Sequence, residues 1–110
     1  MKLYIGGHGQ GKYNYALTNN PHRESDMFRN FHLWIRELIA QGKDAEAEAE
    51  QYFAAHPNAI LIADEVGNGI VPLDPFEREY RERLGRILIR AAELSEQVVR
   101  VICGIGQRIK

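Results

Sequence analysis

Cysteine occurs once in these 110 residues, at Cys103. That excludes an intramolecular disulfide and suits a reducing compartment. No apolar run approaches the roughly 20 residues that a membrane-spanning helix needs, and Leu3-Tyr4-Ile5 is too short for the apolar core of a secretory leader. Neither sign of charge dominates: 14 Lys and Arg stand against 15 Asp and Glu, a formal net of −1. The balance leaves no electrostatic footprint for nucleic acid or for a membrane surface. Low-complexity tracts and internal repeats are absent as well. The expectation is one cytoplasmic domain over residues 1–110, with a single modest core and with no nucleic-acid or membrane partner.

What is present starts at the N-terminus. Leu3-Tyr4-Ile5 suffices for one strand and runs into Gly6-Gly7-His8-Gly9-Gln10-Gly11-Lys12. This is G-x-x-x-x-G-K between a strand and a helical stretch, the pattern of a phosphate-binding loop. Glycines let backbone N–H groups turn inward around phosphate oxygens. The following helix adds unpaired amides and the positive end of its dipole, and Lys12 adds a full charge. The candidate nucleotide-binding residues are therefore Gly6, Gly7, His8, Gly9, Gln10, Gly11, Lys12 and Tyr13. The residue after the lysine is normally Ser or Thr, whose hydroxyl helps hold Mg²⁺. Here it is Tyr13, and a phenol on a rigid ring does not replace a short hydroxyl. A Gly-rich strand-to-helix turn with an incidental lysine would carry the same residues.

Beyond the loop, Lys12–Leu17 predicts a short helix that stops at Thr18-Asn19-Asn20-Pro21. His22 reads as a solvated loop residue. Met27-Phe28 ends a short strand, and the spacing of Phe31, Trp34, Ile35, Leu38 and Ile39 predicts a helix with one broad apolar face. His32 and Arg36, four apart on its polar side, are either a site or a solvated face. Gly42 reads as the helix stop, and Asp44 as the cap of a second, acidic surface helix ending at Pro57. Ala59–Ala63 is a continuous apolar run, read as a strand buried on both faces of a parallel sheet. It delivers Asp64 and Glu65 to the sheet edge where ligands bind in open α/β folds. There they would hold Mg²⁺ directly or through water, act as a general base, or merely cap a loop. Asp74-Pro75 starts the longest helix, predicted to run to Gln97, in which Glu77–Arg81, Glu79–Arg83 and Glu82–Arg86 are placed to pair. Val98–Cys103 is the last predicted strand, with Cys103 a buried small apolar residue. Strands recurring after crossover helices imply an α/β, three-layer domain with a small, mainly parallel sheet. Its few strands leave poorly protected edges, which oligomerisation would cover.

Three stretches together resemble the adenosylcobinamide kinase/adenosylcobinamide-phosphate guanylyltransferase family of cobalamin biosynthesis. Gly6-Gly7 through Gly11-Lys12 is similar to that family's GGxxSGKS loop. Asp64-Glu65-Val66-Gly67-Asn68-Gly69-Ile70-Val71-Pro72 is close to its NEVGxGIVP segment, continuing through Arg81 and Gly85-Arg86 as in its FRDxAGR helix. Gly104-Ile105-Gly106-Gln107-Arg108-Ile109-Lys110 matches at the C-terminus, and Leu33-Trp34-Ile35 resembles its LTLWL helix.

The resemblance implies a P-loop, RecA-like fold and an enzyme. The family phosphorylates adenosylcobinamide with a nucleoside triphosphate, then transfers GMP from GTP through a guanylylated histidine, and its longer members form trimers. Lys12 and the loop glycines would hold the phosphates of GTP or ATP, and Lys12 and Glu65 would be catalytic. Asp64 and Glu65 would hold Mg²⁺, and Gly67, Asn68, Gly69 and Arg86 would border the corrinoid substrate. A homo-oligomer, a trimer in particular, is implied. The chain also departs from the pattern. The segment between the loop helix and Phe31 is short, without the motif of the guanylylated histidine. Arg29 aligns with the family's strand-terminal acid, Tyr13 with the loop serine, Asp64 with an asparagine, and Leu88-Ile89 with an Asn-Gln pair. Two readings follow: a reduced kinase/guanylyltransferase, or a non-catalytic nucleotide- or corrinoid-binding subunit or regulator.

Overall fold

In the computed structural model, which describes residues 1–66 and 73–110, five strands form one sheet in the order β2-β3-β1-β4-β5. The strands are β1 (Lys2–Gly6), β2 (Met27–Phe28), β3 (Ile60–Asp64), β4 (Gln97–Ile102) and β5 (Ile105–Arg108), and the helices α1 (Lys12–Asn19), α2 (Phe31–Ala40), α3 (Ala45–Ala55) and α4 (Pro75–Leu94). The first four strands pair in parallel, with Leu3 opposite both Leu61 and Val98, and Gly6 opposite Asp64. Among the described strands only β5 is antiparallel.

Alternation along the central strand builds the three layers, because successive side chains point to opposite faces. Leu3 joins Phe31, Ile35, Phe53, Leu61 and Leu84 under α2, α3 and α4. Tyr4 joins Ala16, Ile62 and Val101 under α1. Leu3, Tyr4, Leu61 and Phe31 are fully buried, and each such side chain contributes about 1.5–3 kcal/mol of hydrophobic stabilisation.

The expected helix boundaries have local causes. Asp44 accepts a hydrogen bond from the Ala47 amide at 3.1 Å and Asp74 from the Phe76 amide at 2.8 Å, each satisfying an orphan donor of a first turn. At the end of α2, the Lys43 amide donates to Leu38 and the Gly42 amide to Ile39, the bond pair of a Schellman stop.

Four expectations are corrected. The helix α4 ends at Leu94, where Ser95 leaves helical geometry. Val98–Cys103 is not the last strand: the chain turns back as β5, through Cys103 (φ 51) and Gly104 (φ 74). Cys103 is therefore an exposed turn residue rather than a buried one. The Glu77 carboxylate takes a bidentate pair from Arg36 on α2. Glu79–Arg83 and Glu82–Arg86 do pair within α4, but Arg83 also reaches Glu46 on α3 at 2.8 Å. These charges thus tie helices together as well as decorating one of them.

Candidate functional site

The Gly6–Lys12 loop leaves the C-terminal end of the central strand, the edge at which open α/β sheets bind ligands. Two glycines shape it. A Cβ on Gly6 would run into the carbonyl oxygen of Val101, so glycine lets β4 approach. Gly11 closes the loop at φ 84 and forms the N-cap of α1, with no side chain capping the helix, which leaves first-turn amides directed at the loop. Gln10 fastens the loop to the β4–β5 turn. Its side-chain oxygen accepts from the Cys103 amide and its carbonyl from the Gly104 amide, both at 2.8 Å.

Lys12 does not reach into solvent. Its side chain is 7% exposed; Nζ donates to the Gly7 carbonyl at 2.7 Å and lies 2.7 Å from Asp64 Oδ1. The other oxygen of Asp64 is 3.4 Å from His8 Nδ1 and 3.4 Å from His32 Nε2. His32 Nδ1 accepts from the Asp64 amide at 3.0 Å. An amide only donates, so Nδ1 is unprotonated and the ring proton sits on Nε2, facing the carboxylate. Burial lowers the His32 pKa, against the pull of Asp64, so the ring is neutral near pH 7. Burial by itself would raise the Asp64 carboxyl, but the hydrogen bond and the charge of Lys12 outweigh it and hold the group below its ordinary value. Behind the ring, the Tyr80 hydroxyl donates to the His32 carbonyl at 3.2 Å, and burial pushes its pKa up to about 12.

His32 is the residue that sequence reasoning undervalued. It lies buried beside Asp64 rather than on a solvated face. The signal was its spacing: three before Ile35 and seven before Ile39, it shares their buried side of α2.

Opposite Asp64, the Arg29 guanidinium lies 3.6 Å above the centroid of the Tyr13 ring, a cation–π stack. Loop, Lys12, Tyr13, Arg29, His32 and Asp64 together line a cleft of about 260 Å³. The remaining candidates lie elsewhere. Glu65 donates its amide to the Gly6 carbonyl at 2.8 Å, and its carboxylate pairs with Arg100 on β4 at 2.9 Å. Arg86 pairs with Glu82 and Glu46 in the helical layer, away from the cleft. Gly67, Asn68 and Gly69 lie outside the described residues.

The family profile of cobinamide kinase / cobinamide phosphate guanyltransferase (CobU) matches residues 10–109. The chain belongs to this family. Two of its curated relatives are similar over 51 residues: the bifunctional adenosylcobalamin biosynthesis protein CobU of Salmonella typhimurium, at 41% identity, and that of Escherichia coli, at 39%. The aligned stretch is 46% of this chain and 28% of each relative. CobU membership agrees with the P-loop α/β fold. In this member the cleft offers an anion more than it offers a cation. Among the described residues no group of three or more His, Cys, Asp or Glu is arranged to hold a metal ion. Mg²⁺ requires free oxygen ligands. Among the described lining residues the one carboxylate, Asp64, is already paired with Lys12, and the Tyr13 phenol is covered by a guanidinium. The other side-chain oxygens are the neutral amides of Gln10, Asn14 and Asn30, that of Gln10 taken by the Cys103 amide. As they stand, these residues do not fit Mg²⁺.

Proposed function

We propose that this CobU-family chain acts in cobalamin biosynthesis as a nucleotide-binding protein. In this reading it is a reduced adenosylcobinamide kinase/adenosylcobinamide-phosphate guanylyltransferase using GTP or ATP. The observation that carries the reading is Lys12 held beside Asp64 at the C-terminal edge of β1 and β3, under a glycine loop that opens an uncapped helix. A phosphate entering the cleft exchanges one anion for another at Lys Nζ, and loop amides supply the remaining donors. Phosphoryl transfer is mainly positioning and charge stabilisation. Lys12 would stabilise the transferring group, and Glu65 at the end of β3 would serve the transfer once released from Arg100. Gly67, Asn68 and Gly69 would border the corrinoid. The edge strand β5, with Ile105 exposed on it and Ile102 at the end of β4 and Ile109 just after β5 exposed as well, supports a homo-oligomer, which light scattering on the purified protein measures.

The Tyr13–Arg29 stack favours a second reading, a nucleotide- or corrinoid-binding subunit without turnover. Titration calorimetry with GTP and with ATP tests the shared part: micromolar binding lost in Lys12→Ala is expected. Incubation with adenosylcobinamide and each nucleotide, followed by mass spectrometry, separates the readings. A phosphorylated or GDP-linked corrinoid that disappears in Glu65→Gln supports the enzyme. Binding without product supports the subunit, and absence of nucleotide binding overturns the enzyme and leaves only a subunit that binds corrinoid alone.

A further inference from the structure

We propose that the cleft binds nucleotide phosphates without a divalent metal, with Arg29 supplying the charge that a metal ion would otherwise bring. This rests on the nucleotide-binding reading above and concerns the same cleft.

The charges carry the argument. Among the described residues lining the cleft, the one carboxylate, Asp64, is matched by Lys12 at 2.7 Å. His32 is buried and neutral. Apart from His8, which lies beside Asp64, Arg29 is then the surplus cation and a permanent one, exposed at the rim and stacked on Tyr13. Stacking uses the face of the guanidinium and leaves its in-plane N–H groups free at the edge. Those donors match two phosphate oxygens at once. A divalent cation would meet the opposite chemistry, with no free carboxylate in its reach and a fixed positive charge above the phenol. Mg²⁺ bound to the nucleotide would also mask phosphate charge that Lys12 and Arg29 need. The cleft, at about 260 Å³, is at the small end for a ligand pocket and suits the phosphate chain rather than a whole nucleotide. The rest of the nucleotide then lies outside it, so phosphate contacts dominate the affinity.

The test is calorimetric titration of the whole chain with GTP, ATP and inorganic triphosphate, in EDTA and in excess Mg²⁺. The proteins are wild type, Lys12→Ala and Arg29→Ala. Arg29 is exposed, so its variant keeps the fold, which a thermal melt checks. The expected result is a wild-type Kd in EDTA equal to or tighter than in Mg²⁺, and a loss of about tenfold or more in Arg29→Ala, the scale of a charged hydrogen bond. Binding that needs Lys12 but tightens more than threefold with Mg²⁺, or that ignores Arg29→Ala, overturns the metal-free site and leaves the nucleotide reading standing. Binding that is absent in both buffers, or indifferent to Lys12→Ala, overturns the nucleotide reading itself.

Discussion

Lys12 Nζ and Asp64 Oδ1 lie 2.7 Å apart, so the cation of the phosphate loop is held by the chain's own carboxylate. The pair both orders the loop and competes with any phosphate for the same ammonium. Asp64→Asn is expected to lower stability by about 1–3 kcal/mol, the range for a charged hydrogen bond lost at a largely buried site. The same change should tighten binding of inorganic triphosphate, because Lys12 is released. Urea denaturation and calorimetry on one variant read both; a variant that is less stable and also binds more weakly would show that Asp64 orients Lys12 toward phosphate instead.

His32 gives the fold a pH dependence of known sign. Its pKa is lowered in the folded state by burial, so the unfolded chain takes up the proton first. Stability is fully present above the unfolded value of about 6.5 and is lost as pH falls below it, down to the folded pKa. Urea midpoints from pH 8 to pH 5 should therefore decline below about 6.5. In His32→Asn, which keeps an acceptor for the Asp64 amide, the decline should flatten.

Two glycines predict opposite outcomes on substitution by alanine. At Gly6 the new methyl group meets the Val101 carbonyl, so β1 and β4 must part. Gly6→Ala is expected to destabilise by about 1–3 kcal/mol. Gly85 sits inside α4 with open space around it, and Gly85→Ala should stabilise by about 0.5–1 kcal/mol. Thermal melts of the two variants should move in opposite directions.

Gln10 ties the loop to the β4–β5 turn through one side-chain bond and one backbone bond. Gln10→Ala removes only the first. Amide hydrogen exchange at Cys103 should accelerate, while Gly104, bonded to the Gln10 carbonyl, keeps its protection. Equal acceleration at both would mean that the side chain holds the whole turn.

Elements with local causes were legible. The apolar run of β3, the caps at Asp44 and Asp74 and the glycine loop after β1 each depend on residues adjacent in sequence. Family motifs added the P-loop fold. The turn at Cys103-Gly104 was not legible, because a non-glycine residue at φ 51 is stabilised by its pairing across β4 and β5 and by Gln10, which lies 93 residues earlier. Glu77 shows the same limit: helical spacing offers it Arg81, whereas packing brings Arg36 within bidentate reach.

By itself, the sequence determined the α/β class, the phosphate loop, the acids at the end of β3 and the family. These are written in period, spacing and motif. Tertiary structure alone decided how the charged groups are partnered. The sheet register sets Gly6 opposite Asp64, which brings Asp64 to Lys12, and α2 packs His32 against it. The Glu65 carboxylate meets Arg100 from β4, and Arg29 folds over Tyr13. Ion pairs and stacks form between groups a few ångströms apart, and such proximity is a property of packed layers that no linear spacing encodes.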